Sequence, residues 1–210
     1  MSRLFVGTFL DHEDQEKLSI LRDQNSHLDE LWQRKTRWVR ASKLHLTWLF
    51  LGNVQDELIP KVAQTLDKVL KDRRRVGSEK IALSFSKIEV WPAPRKPRMI
   101  VLSNNPTPIA VSSLARTIRT GLIPFYTEEA EQEENRDFRP HITLVRLDRR
   151  NEEQPKTYPN IAPKVDAGAI HNLKDLLPVE LEIKNVCLIQ SHLGKGSNDY
   201  EILEKFPIVN

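Results

Sequence analysis

The tetrapeptide His45-Leu46-Thr47-Trp48 returns almost unchanged as His141-Ile142-Thr143-Leu144, each copy inside a short apolar run. Residues two apart on an extended strand point to the same face, so each copy sets a titratable imidazole beside a hydroxyl. Two copies facing each other would surround one anion with an acid, a base and two neutral donors. Cleavage of a phosphate ester without a metal asks for that set.

A single His in an apolar strand is more often a half-buried structural residue than a catalyst, and a single His-x-Thr is weak for the same reason. Two copies with matched apolar flanks reverse that judgement. A zinc centre is the chemical rival. Two His ligands are too few for one, and neither His has an Asp, Glu or Cys at ligand spacing beside it. No metal and no cofactor is expected.

Strict alternation sends Leu44, Leu46, Trp48 and Phe50 to the core and leaves His45, Thr47, Leu49 and Leu51 on the other face. In the second copy Ile142 and Leu144 turn inward, while His141, Thr143 and Val145 turn outward. A site carried on strands keeps its geometry better than one carried on loops.

The surrounding elements follow from periodicity and punctuation. The apolar run Leu4–Leu10 predicts a buried strand. Asp11 then caps a helix striped by Leu18, Leu21, Leu28 and Leu31 that runs to about Trp32. After the strand Leu44–Leu51, closed by Gly52-Asn53, a second helix begins at Asp56 with Leu58, Val62, Leu66, Val69 and Leu70 on one face. Strands are expected at Ile81–Val90 and Met99–Leu102, separated by proline-rich residues 91–97 that cannot run through a central ladder. A third helix has Thr107 as its cap, Pro108 in its first position and Gly121 at its end, with Val111, Leu114, Ala115, Ile118 and Leu122 forming its stripe. Strands near Glu180–Gln190 and Tyr200–Phe206 close the chain. Residues 149–178, rich in Pro, Asn, Lys and Glu, read as a long mobile excursion.

This order fits either a parallel α/β sheet or an α+β duplication, and the internal repeat favours the second. The expected fold is α+β, with two pseudo-symmetric lobes of antiparallel sheet flanked by helices. A central cleft carries one His-x-Thr motif from each half, and residues 1–210 form one two-lobed domain.

The 210 residues are 39% hydrophobic and 29% charged, the composition of an ordinary globular protein. The net charge of +3 says little, but its clustering says more. Arg34, Lys35, Arg37, Arg40 and Lys43 follow one another without an acid and stop two residues before His45. Arg95, Lys96 and Arg98 form a second basic group, and Glu128–Glu134 an acidic loop. Basic patches beside a candidate site suit an anionic substrate, although each alone also reads as a solvated face. The lone Cys187 allows no internal disulfide and reads as a small buried hydrophobe. The apolar N-terminus is too short for a signal peptide and no stretch reaches membrane-spanning length, so a cytoplasmic location is expected.

The motif-bearing segments resemble the two-histidine phosphoesterases, and within them the LigT-like RNA 2',3'-cyclic phosphodiesterases of the 2'-5' RNA ligase family. The resemblance covers Arg3-Leu4-Phe5-Val6, Trp38-Val39-Arg40, Leu44 through Gly52, Arg98, Arg139 through Arg146, and Ser191-His192-Leu193 through Tyr200-Glu201-Ile202-Leu203. Residues 149–178 are longer than the family usually shows. The resemblance implies that His45 is the general acid, His141 the general base, and Thr47 and Thr143 the donors to the non-bridging phosphate oxygens. It also implies that Arg146 binds the phosphate, yet alternation places Arg146 opposite His141, so the strand must bend or end near Val145.

The expected reaction opens RNA 2',3'-cyclic phosphate ends to 2'-phosphates, with RNA 3' ends or nucleoside 2',3'-cyclic phosphates as partners, no membrane, and a monomeric protein. The same site could act on an ADP-ribose cyclic phosphate or a 2'-5' linked oligonucleotide, or run backwards as a 2'-5' RNA ligase. The rival from another class is a non-catalytic RNA- or nucleotide-binding module. Among the aromatics, Trp48, Phe5, Phe9 and Tyr126 are expected in the core, and Trp91 is the best exposed stacking candidate. His12 and His27 are expected on the surface of the first helix, His171 and His192 lack a repeated partner, and Gly194-Lys195-Gly196 reads as a turn.

Overall fold

A computed structural model of the chain describes residues 1–31, 35–76, 80–93, 97–104, 106–127, 138–147, 167–193 and 198–208. Trp32, Arg34, Arg95, Lys96, Glu128–Glu134, Gly194-Lys195-Gly196 and residues 149–166 lie outside these.

The strand of each His-x-Thr copy sits at the middle of one antiparallel sheet. Strand β1 (Ser2–Phe9) pairs with β3 (His45–Val54) on one side and β9 (Asn185–Leu193) on the other, and β9 pairs with β10 (Asn198–Pro207). In the second half, β7 (His141–Leu147) pairs with β6 (Met99–Ser103), which pairs with β5 (Lys87–Trp91). The two halves meet where Leu46 of β3 lies opposite Ile142 of β7, the one paired position between these strands. Further along, β2 (Thr36–Trp38) takes over the same edge of β7. Strands β4 (Ala82–Phe85) and β8 (Val179–Glu182) form a separate two-stranded ladder. The fold is therefore the expected α+β arrangement of antiparallel sheet with flanking helices.

One face of the sheet is buried against helices α3 (Ile59–Val76) and α4 (Ile109–Leu122), which pack on each other. Leu46, Trp48, Ile142 and Leu144 enter that core with Val62, Leu66 and Leu70 of α3 and the whole expected stripe of α4. Each such side chain contributes roughly 1.5–3 kcal/mol when fully buried. A smaller cluster on the other face gathers Phe5, Cys187 and Ile189, with Phe9, Phe50 and Tyr200 against it. Among the described residues, no helix is long and apolar enough to cross a membrane.

Several expectations are corrected by tertiary contacts. The first helix starts where predicted, with Asp11 accepting from the Asp14 amide, but α1 (His12–Gln24) stops at Asn25 and α2 (Leu28–Leu31) follows. Asn25 is buried; its side-chain amide donates to Leu21 O at 2.8 Å and its carbonyl accepts from the His171 amide at 2.7 Å. That second contact also anchors residues 167–178, where Ile170 and Leu173 are buried, so this end of the expected excursion is packed. The strand expected at Ile81–Val90 divides into β4 and β5, which join different sheets. Strand β2 was not expected. Pro108 precedes α4 and no side chain caps it, so Thr107 is not the cap.

Gly121 lies within α4 rather than ending it. A Cβ there would stand 2.4 Å from Val69 Cγ2, so hydrogen is what allows α3 and α4 to approach. Gly121→Ala gains up to about 1 kcal/mol of helix propensity. Overpacking against the stiff valine costs about 1–3 kcal/mol. The expected outcome is a lower urea midpoint for Gly121→Ala, restored towards wild type when Val69→Ala is added.

Candidate active site

Both motif strands carry a bulge, and the bulges decide which side chains share a face. Along β1, Gly7 pairs with Thr47 and Val6 with Leu49, leaving Trp48 as an extra residue; a second irregularity falls at Leu51. Along β6, Val101 pairs with Thr143 and Ile100 with Val145, leaving Leu144 extra. An extra residue shifts the alternation by one. Leu49, Leu51 and Val145, expected on the site face, are therefore buried in the core. Phe50, expected in the core, is half-buried on the site face, where Arg3 stacks on its ring with 4.6 Å to the centroid. The same shift brings Arg146 round beside His141 and Thr143, resolving the conflict that strict alternation posed.

Because Leu46 lies opposite Ile142, His45 falls beside Thr143 and Thr47 beside His141, all four on the face away from the helices. Directly opposed positions in an antiparallel pair have Cβ atoms roughly 4.5–5.5 Å apart. Arg146 acts electrostatically on both imidazoles, and His141 on His45. Arg37 stands opposite Arg146 across β2 and β7. The structure thus brings together all five residues singled out from the sequence.

Each imidazole is anchored the same way. His45 Nδ1 lies 2.7 Å from Lys43 O, and His141 Nδ1 lies 2.9 Å from Arg139 O. A carbonyl oxygen can only accept, so Nδ1 carries the proton and donates in both rings, leaving each Nε2 for the cleft. The surroundings then differ. His45 lies among Phe5, Phe9 and Tyr200, with ring centroids 5.0, 5.7 and 5.2 Å away. Burial pushes its pKa down to about 4, with Arg146 and His141 adding to the fall and the Lys43 carbonyl opposing it. The Trp91 ring lies 4.5 Å from His141, whose pKa is also lowered, chiefly by burial and then by Arg146 and Arg139.

A closed set of contacts holds that second ring. Arg139 stacks on Trp91 at 4.3 Å, and Glu89 accepts from Trp91 Nε1 at 3.1 Å while pairing with Arg139 at 3.5 Å. Sequence reasoning gave Glu89 and Arg139 no role, although each lies two residues from a residue it had singled out. Trp48 is core, its indole N–H donating to Thr8 Oγ1 at 2.9 Å. His27 and His171 face each other at 5.0 Å, and His192 pairs with Glu201 at 3.0 Å, away from the motifs. Among the described residues, no group of three His, Cys, Asp or Glu could hold a metal ion.

The family of the chain follows from comparison with known proteins. A profile described as the 2'-5' RNA ligase superfamily matches residues 21–195, and the chain belongs to that superfamily. It is similar to proteins named RNA 2',3'-cyclic phosphodiesterase. The one from Archaeoglobus fulgidus is 24% identical over 155 residues, 72% of this chain and 76% of that protein. The one from Aquifex aeolicus is 22% identical over 177 residues, 81% of this chain and 80% of that protein. Its fold is that of TT0787 from Thermus thermophilus, with a TM-score of 0.70, 24% identity, and 98% and 97% of the two chains covered. It is also that of E. coli LigT in apo form, with a TM-score of 0.65, 22% identity, and 100% and 98% covered. LigT has also been solved with phosphate and with 3'-AMP.

These environments predict how the rings titrate. In an NMR pH titration, both imidazoles are expected to titrate below 6.5, His45 near 4. Glu89→Gln removes the charge that balances Arg139, so His141 should titrate lower still. A ring whose pKa is lowered by folding binds protons more readily in the unfolded chain, so stability falls as pH drops from about 6.5 towards 4. The urea midpoint should drop between pH 7 and pH 4.5, and drop less in His45→Ala.

Proposed function

We propose that this protein hydrolyses RNA 2',3'-cyclic phosphate ends to 2'-phosphates by metal-independent acid–base catalysis. The observation that carries the reading is the matched pair of imidazoles, each with Nδ1 tied to the carbonyl two residues back and Nε2 left for one shared face. The names of the relatives support the substrate class.

In this reaction His141 Nε2 takes a proton from water as the water oxygen bonds to phosphorus. The bond from phosphorus to the 3' oxygen breaks, and His45 Nε2 gives its proton to that oxygen. Thr47, Thr143 and Arg146 bind the non-bridging oxygens as their charge grows. The product is a 2'-phosphate beside a free 3' hydroxyl, and the rings have exchanged protonation states, which solvent resets. An acid and a base each supply roughly 10²–10⁴-fold. Burial disfavours the imidazolium on His45 in the free protein, and an anionic phosphate close to the ring restores it. A cytoplasmic location and a monomeric protein belong to the same proposal.

The test is turnover of a nucleoside 2',3'-cyclic phosphate in EDTA. His45→Ala and His141→Ala should each lose at least about 10²-fold in kcat, and Arg146→Ala, which removes a contact that strengthens as the charge grows, should lower kcat as well as raise KM. Retention of most activity by either histidine variant would remove the acid–base pair, and a 3'-phosphate product would mean that the roles or the subgroup are wrong. The pH profile has a definite sign. In sufficient acid both rings are protonated and no base remains; as pH rises past 6.5 both are neutral and no acid remains. A kcat/KM maximum below 6.5 is expected.

A further inference from the structure

A cavity of about 490 Å³ opens on the His45 side of the site, and the acid–base roles proposed above give it no occupant. Phe9, Tyr200 and Lys43 form a wall common to both: the two rings pack on His45 and all three line the cavity. Its far side carries Lys184, Cys187 and Lys205.

The sheet register places this cavity in line with the motifs. Lys205 lies opposite Cys187, Cys187 opposite Gly7, and Gly7 opposite Thr47. Opposed residues share a face, so Lys205 stands in the same row as Thr47, three strand spacings away, about 14 Å between the backbones. The apolar cluster of Phe5, Cys187 and Ile189 floors the space between.

Charge distinguishes the lysines. Lys43 is paired with Asp199 at 2.5 Å, and Lys184 with Glu182 at 3.6 Å. Glu182 is also 3.8 Å from Lys80, and the other acid of the wall, Asp11, caps α1. Lys205 makes no ion pair among the described residues, so one cation of the cavity has no counter-charge among them.

We propose that this cavity binds the phosphate carried on the 5' oxygen of the terminal nucleotide, with Lys205 as its principal cation. The inference rests on the proposed reaction. If His45 protonates the departing 3' oxygen, the ribose lies on the His45 side of phosphorus, and the 5' oxygen leads away from the cleft on that side. An RNA end is then held at two phosphates, the cyclic one between the imidazoles and the next one in the cavity. The same contact serves the 5'-phosphate of a mononucleotide and the internucleotide phosphate of a longer RNA.

The experiment compares kcat/KM for adenosine 2',3'-cyclic phosphate, its 5'-phosphorylated form, and the dinucleotide ApA ending in a 2',3'-cyclic phosphate. Wild type is expected to prefer the 5'-phosphorylated mononucleotide and the dinucleotide by about tenfold, through KM and less so at high salt. In Lys205→Gln and Lys205→Glu the preference ratio should fall towards one. A preference for the dinucleotide alone would assign the site to the internucleotide phosphate. No preference in wild type, or an unchanged ratio in both variants, overturns the proposal. Calorimetric titration with adenosine 2'-phosphate and adenosine 2',5'-bisphosphate reads the same contact without turnover. If none of the cyclic phosphates is cleaved, the proposed reaction fails, while a Lys205-dependent gain in affinity for the bisphosphate still supports the cavity and its absence overturns it.

Discussion

The placement of Leu46 opposite Ile142 constrains everything in the cleft. Each motif strand is held in its own half, β3 by β1 and β7 by β6, and this one paired position sets how the halves align. A slip of one residue would turn the imidazole of one strand to the core and leave the other alone. The alignment is fixed by burial rather than by many hydrogen bonds between the halves: Leu46 and Ile142 are fully buried, in the same core as the facing sides of α3 and α4. Helices on the far side of the sheet thereby determine the separation of polar groups on the near side.

The two halves of the site match in backbone and differ in electrostatics. The bulge at the fourth motif position recurs in both strands, so position six faces the cleft in each, occupied by Phe50 in one and Arg146 in the other. The tether through Nδ1 recurs as well. Around His45 the neighbours are aromatic; around His141 they include Trp91, Arg139 and Glu89. Burial is the main cause that lowers the pKa of both rings and Arg146 lowers both further, while Arg139 adds its charge at His141 alone.

Much of this was legible in the sequence because it depends on local pattern. The repeated motif, the face shared by His45 and Thr47, the stripe of α4 and the cap at Asp11 all follow from periodicity or from one hydrogen bond within a turn. What was not legible depends on partners distant in the chain. Alternation alone misplaced Leu49, Leu51, Phe50 and Val145, since a bulge shows only once the paired strand is known. The end of α1 is set by Asn25 reaching His171, and Gly121 by the approach of Val69, neither of which periodicity encodes. Arg146 is the instructive case, because the family resemblance and strand parity disagreed until the extra residue at Leu144 reconciled them.

The indole of Trp91 beside His141 has an optical consequence. An imidazolium accepts an electron from an excited indole far more readily than a neutral imidazole does, so emission from this side chain dims when its neighbour gains a proton. Trp48 sits deep among apolar groups with its N–H bonded to Thr8. The fold therefore carries an internal fluorophore against one of its two motif histidines, sensitive to a single proton.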